Sequence, residues 1–219
     1  MHTQAQALRF NAAGIYIDAD VAIPAGASGV IVFVHGSGSS RHSPRNQFVA
    51  THLRAQGLGT VLMDLLTAAE ERADQFTGHL RFDIGFLARR VIAALDEVKE
   101  VAPLPIGLFG ASTGAAAALV VAAAKSARIA AVVSRGGRPD LAADSLPRVE
   151  APTLLIVGGE DREVLALNQK AMERMKAEVR LEIVPGASHL FHEPGALETV
   201  AHLAADWFTT HIVDNPSHR

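Results

Sequence analysis

Short apolar runs rich in β-branched residues alternate along the chain with longer stretches whose apolar residues recur every three or four positions. That alternation predicts a mostly parallel sheet with helices on both of its faces. Ile15, Ile17, Ala19, Val21 and Ile23 fall on every second position and predict an early, half-exposed strand. The pairing of the extended segment Leu8 to Ile23 stays open at this stage. Gly29 to Val34 is continuously apolar, as a strand buried on both faces should be. Ser43 and Pro44 open a helix through Ala55, and Gly57 and Gly59 end it. Strands are expected at Thr60–Met63, Pro105–Phe109, Ile129–Val133, Thr153–Val157 and Arg180–Val184. Helices are expected at Phe82–Lys99, Ser112–Lys125, Glu163–Lys176 and Pro194–Thr210, with a loop or short helix from Thr67 to His79 and a frayed tail from Asp214 to Arg219.

Composition narrows the class. The 219 residues are 49% hydrophobic and 20% charged, which fits one globular domain over 1–219 with a sizeable core. There are no internal repeats or low-complexity linkers. The chain has no cysteine, so disulfides, thiolate catalysis and zinc–thiolate sites are excluded. The net charge of -3 provides no basic stripe, and no nucleic acid is expected as a partner. The opening MHTQAQALRF lacks a basic segment followed by an apolar one, so no secretory signal is expected. No window approaches the roughly 20 apolar residues of a membrane span. A cytoplasmic location and no membrane association follow as expectations.

The segment with the clearest chemistry is Gly110-Ala111-Ser112-Thr113-Gly114, which matches G-x-S-x-G. A strand is expected before it and a helix after it. A turn that tight forces the serine into strained backbone geometry and lifts its hydroxyl above the carboxyl edge of the sheet. Free amides and the helix dipole there favour developing negative charge. Ser112 is therefore the candidate nucleophile; the plainer alternative is an N-cap serine between two glycines.

With His35-Gly36-Ser37-Gly38-Ser39-Ser40, Gly158-Gly159-Glu160-Asp161 and Gly186-Ala187-Ser188-His189, the elbow resembles the α/β-hydrolase superfamily. Within it, the chain is similar to the small, lidless, dienelactone-hydrolase-like branch over nearly its whole length. The resemblance implies an α/β-hydrolase fold: a mostly parallel central sheet, helices on both faces and no large cap domain. One departure matters. Dienelactone hydrolases proper carry cysteine at the nucleophile position, whereas this chain has Ser112, which points to esterase-type activity.

A serine hydroxyl needs a base. Of ten histidines, His189 fits the superfamily's chain order of Ser, then acid, then His. His192 is its rival; His35 reads as structural, His202 and His211 belong to the last helix or its end, and His2 and His218 are terminal. Asp161 is the candidate acid, at the end of the Thr153–Val157 strand, with Glu160, Asp140 and Asp144 as alternatives. The resemblance implies that the backbone N–H groups of Ser37 and Thr113 form the oxyanion hole, the glycines beside Ser37 letting the chain turn.

Only a short segment separates Val133 from Thr153, where lidded relatives insert caps, so an open site suited to small or polar substrates is expected. Arg41, Arg135 and Arg138 sit near expected strand ends and are candidates for binding an anionic substrate group, alongside Arg45; the alternative is that they pair with nearby carboxylates and fix loops. Taken together, the sequence points to a serine hydrolase, a carboxylesterase or lactone hydrolase acting through Ser112, His189 and Asp161. No metal or organic cofactor is implied. The partner is a small-molecule ester or lactone, and helix faces such as Phe82–Lys99 allow a homo-oligomer. An acyltransferase or peptidase with the same triad, or a non-catalytic binding module, are the competing readings.

Overall fold

The computed structural model describes residues 4–213. Met1–Thr3 at the head of the N-terminal segment, the expected tail Asp214–Arg219, and with them His2 and His218, lie outside the described residues.

The chain opens with a hairpin of β1 (Gln6–Ala12) and β2 (Ile15–Ala22). Its two turn residues, Ala13 and Gly14, both have positive φ, 58° and 87°. That is the turn whose twist matches an antiparallel pair. Then follow β3 (Val30–Val34), α1 (Pro44–Ala55), β4 (Gly59–Met63), α2 (Ala68–Thr77), α3 (His79–Phe82), α4 (Ile84–Val101), β5 (Ile106–Ala111) and α5 (Thr113–Ala124). The second half runs β6 (Ile129–Arg135), β7 (Thr153–Gly158), α6 (Arg162–Met172), β8 (Val179–Val184) and α7 (Ala196–Phe208).

Eight strands form one sheet in the order β1-β2-β4-β3-β5-β6-β7-β8. The first hairpin is antiparallel to the rest, and β4, β3, β5, β6, β7 and β8 run parallel. The central strands are buried throughout, which is why they read as unbroken apolar runs rather than alternations. Helices cover both faces. Ile84, Leu87, Val91, Leu95 and Val98 of α4 pack with the alanines of α5 on one side, and Val49, Leu53, Val200 and Phe208 of α1 and α7 pack on the other. This is the α/β-hydrolase arrangement. Between β6 and β7 the chain makes only short 3-10 turns, at Pro139–Ala142 and Leu146–Arg148, so no cap domain is present.

Local sequence accounts for the helix ends. Ser43 caps α1 by accepting from the Asn46 N–H, and Pro44 occupies the first helical position, where no N–H is needed. Gly57, at φ 80°, ends α1: its N–H bonds to Arg54 O, and that of Leu58 bonds to Leu53 O. The stretch from Thr67, expected as a loop or short helix, is a full helix because Thr67 and Glu70 cap each other reciprocally. The helix expected from Phe82 begins at Ile84 instead, since the Asp83 carboxylate accepts the Phe86 N–H at 2.8 Å.

Candidate active site

The site is assembled at the carboxyl ends of β3, β5, β7 and β8. Ser112 joins β5 to α5 with φ 51° and ψ -120°, a conformation that costs a side-chain-bearing residue energy. The surroundings hold it there. The Ser112 N–H donates to Arg135 O at 3.2 Å, and its carbonyl accepts from Ala115 N at 3.1 Å and Arg138 N at 3.2 Å. The flanking glycines are steric necessities. A Cβ at Gly110 would lie 2.4 Å from Ala115 Cα, and one at Gly114 would lie 2.1 Å from Val34 O. The β3 loop presses on the elbow from the other side, where a Cβ at Gly36 would meet Ala111 O at 3.0 Å and Ser112 Cβ at 3.1 Å.

Asp161 and His189 come from two loops sewn together by backbone. Gly159 N–H donates to Val184 O and Glu160 N–H to Ala187 O, at 2.9 and 3.0 Å. A Cβ on Gly158 would fall 2.3 Å from Ala187 O, so only glycine permits this approach. The result is a 2.6 Å hydrogen bond between His189 Nδ1 and Asp161 Oδ2. A carboxylate only accepts, so Nδ1 carries the hydrogen, and in the neutral ring the lone pair is then on Nε2. The imidazole edge passes over Gly136, its Cε1 3.5 Å from where a Cβ there would stand. Gly136 directly follows Arg135, whose carbonyl holds the Ser112 amide, so the ring stands beside the elbow. Past His189, Phe191 is 1% exposed and has φ 54°; its buried ring anchors the loop.

The alternative candidates stand in other surroundings. His192 is exposed and faces Glu193 at 3.5 Å. The Asp140 carboxylate takes two hydrogen bonds from Arg138, both at 2.8 Å, and Asp144 and Glu160 are exposed. His35 is buried: its Nδ1 donates to Gly36 O at 2.9 Å and its Nε2 accepts the Leu65 N–H at 3.1 Å. Burial lowers its pKa, and the ring stitches the β3 loop to the end of β4.

Three of the expected site residues are engaged by other groups in the structure. The Ser37 N–H, expected to face an oxyanion, donates to Thr113 Oγ1 at 2.9 Å, because the threonine side chain at the head of α5 reaches the loop above it. Arg41 is not open to an anionic substrate: its side chain pairs with Asp64, with Asp20 at 3.6 Å and with Asp18 at 3.8 Å. Arg138 is likewise taken up by Asp140. Arg135 differs from both. It is 8% exposed, its Nη1 has no hydrogen-bond partner, and burial together with the neighbouring Arg45 charge lowers its pKa to about 10.

A feature not legible in the sequence is a small cavity, of about 30 Å³, beside the Gly36–Ser40 loop. Its far wall comes from Glu71 of α2, Arg81 of α3 and Leu87 of α4. The α2–α3 corner is fixed by buried Asp74, which accepts from Leu80 N at 2.7 Å and Arg81 Nε at 2.7 Å. Among the described residues no cluster of three or more His, Asp or Glu is arranged to hold a metal ion, and no helix is long and apolar enough to cross a membrane.

Comparison with known proteins places this geometry in a family. The model of the dienelactone hydrolase family matches residues 17–211. A dienelactone hydrolase from Anabaena variabilis ATCC 29413 is 51% identical and superposes with a TM-score of 0.95, covering 97% of this chain and 100% of that one. Est1E from Butyrivibrio proteoclasticus shares the fold at 16% identity, with a TM-score of 0.79 over 94% of this chain and 99% of its own. A Mycobacterium tuberculosis H37Rv protein provisionally named a phosphoribosyl transferase is 55% identical over 193 residues, 87% of this chain but 43% of its own length. The chain thus spans less than half of that curated relative. By family model and by structure, this chain belongs to the dienelactone hydrolase family of α/β-hydrolases.

Proposed function

We propose that the protein is a serine hydrolase that cleaves small or polar carboxylic esters or lactones through an acyl-enzyme on Ser112. The observation that carries this reading is the 2.6 Å Asp161–His189 hydrogen bond on loops bound to the strand ends around a serine at φ 51°. Nothing about these residues' packing requires a histidine–carboxylate pair at the lip of the sheet. It is the arrangement that activates a weak nucleophile.

In the proposed cycle, Ser112 Oγ attacks the carbonyl carbon while His189 Nε2 takes its proton. Asp161 keeps the ring in the required tautomer and stabilises the imidazolium. The oxyanion meets the Thr113 N–H, at the head of α5, where the first amides lack partners within the helix. The Ser37 N–H joins it when the Thr113 hydroxyl turns aside or shares that hydrogen. The leaving alcohol takes its proton from His189. Water, deprotonated by the same Nε2, then releases the acid. The small cavity beside the Gly36–Ser40 loop favours a small acyl or alcohol group over a long lipid chain.

The transferase name of the mycobacterial relative belongs to a protein more than twice the matched length, so it adds no step to this cycle. Hydrolysis of p-nitrophenyl acetate tests the proposal. The wild type should turn it over, and Ser112→Ala should lose at least about 10³-fold in kcat. Turnover retained by that variant would sink the reading.

A further inference from the structure

Two arginines have nearly the same burial and opposite surroundings. Arg90, 5% exposed, is clamped by Glu70 through hydrogen bonds of 2.8 and 3.1 Å. Arg135, 8% exposed, has no carboxylate within ion-pairing distance among the described residues, and its Nη1 is buried without an acceptor. It follows Ala131 and Val133 along β6 onto the face covered by α1 and α7. The charge it meets there is another cation. Arg45, in the first turn of α1, lowers the Arg135 pKa, and its own Nε is also buried and unpartnered. The first turn of α1 contains no acidic residue, so the positive end of the helix dipole adds to the same sign. Buried charge is ordinarily paired, and an uncompensated guanidinium beside a second one is strongly unfavourable. On the side of the elbow that faces α1, two buried arginine nitrogens thus lack an acceptor.

We propose that Arg135 and Arg45, with the N-terminal turn of α1, form a binding site for a dianionic phosphoryl group next to the Ser112 elbow. Two guanidinium groups, each with a buried nitrogen that lacks an acceptor, are best matched by a charge of -2 and at least three acceptor oxygens. A phosphoryl group supplies both, whereas a carboxylate supplies one charge and two oxygens. The group belongs either to free phosphate or to a phosphorylated ester substrate. The site itself does not depend on the hydrolase reading; only the substrate version of it does.

Titration calorimetry with inorganic phosphate at low salt tests the site without any turnover. Wild-type protein should bind one phosphate per chain saturably at millimolar concentration or below, with acetate at least tenfold weaker. Arg135→Met and Arg45→Gln should each weaken phosphate binding at least tenfold. Arg45 is half-buried, so its variant keeps the test valid if Arg135→Met fails to fold. Absence of saturable phosphate binding in the wild type overturns the proposal, as does binding unchanged in Arg45→Gln, or acetate binding as tightly as phosphate. Two kinetic arms then identify the source. A higher kcat/KM for a phosphorylated short ester than for its neutral analogue, lost in Arg45→Gln, assigns the site to the substrate's phosphate. Equal values, with phosphate still bound, assign it to the free ion. Phosphate binding without any ester turnover would leave the site standing and remove the hydrolase reading instead.

Discussion

His189 Nδ1 lies 2.6 Å from Asp161 Oδ2, although the two residues belong to loops that follow different strands, β8 and β7. Backbone hydrogen bonds between those loops fix the separation before either side chain is considered. The pair sets the tautomer of the ring, and Asp161→Asn should leave the fold intact while presenting the wrong one. An amide can donate to Nδ1 and so turn the hydrogen to Nε2. The expected result is a fall in kcat on the order of 10⁴-fold, with an unchanged circular dichroism spectrum. A loss below tenfold would mean that Asp161 does not orient the base.

Gly114→Ala tests the packing of the elbow. The added methyl would sit 2.1 Å from Val34 O and 2.3 Å from His35 O, both backbone atoms of the neighbouring strand end. No side-chain rotation relieves that contact. The variant should lose about 1–3 kcal/mol or more in urea denaturation, and activity should fall with it. A wild-type unfolding midpoint would show that the loop above the elbow is looser than its contacts indicate.

Thr113→Val separates the two parts played by that residue. The substitution keeps the shape and the backbone N–H, but removes the acceptor of the Ser37 amide. Stability should drop by about 1–3 kcal/mol, because a part-buried N–H loses its partner. Since that amide then faces the substrate freely, kcat/KM should stay within about threefold of wild type or rise. A hundredfold loss would show that the hydroxyl itself contacts the reacting oxygen.

Stability should also respond to pH in two separate windows. Burial lowers the pKa of His35, and burial together with the His202 charge lowers that of His52. The unfolded chain binds these protons more readily than the native one. Their contribution is therefore complete above the ordinary histidine value near 6.5 and declines as pH falls below it. Glu70 behaves differently. Burial pushes its pKa up, but hydrogen bonds from Arg90 and Thr67 outweigh that and hold it below the ordinary glutamate value. Its contribution persists to lower pH and disappears as pH falls through that depressed pKa. Urea midpoints should thus decline between pH 7 and 5. The decline should be shallower in His35→Asn, which lacks the titrating ring; an identical slope would contradict the assignment.

Much of the site was legible in sequence because it depends on residues that only one local geometry accepts. Ser112 between Gly110 and Gly114, and Asp161 after Gly158-Gly159, announce strand ends that turn sharply. The reciprocal cap of Thr67 and Glu70 was equally available as a T-x-x-E spacing, and it marks the helix that the loop-or-helix expectation left undecided. Other features were out of reach because they are long-range. Nothing in the neighbourhood of Arg41 reveals Asp18, Asp20 and Asp64 as its partners, since β2 and β4 bring them together only in the folded sheet. Arg138 and Asp140 stand two apart, so their pairing was visible in principle, whereas the solitude of Arg135 was not. The bond from the Ser37 amide to Thr113 Oγ1 spans 76 positions and depends on one side-chain rotamer.

The most direct test of the account is intact-mass analysis after exposure to a fluorophosphonate, on wild type and on Ser112→Ala. The account predicts a single adduct on the wild type and none on the variant, because only a serine activated by His189 attacks phosphorus at neutral pH. An unlabelled wild type, or an adduct that persists in Ser112→Ala, would contradict it.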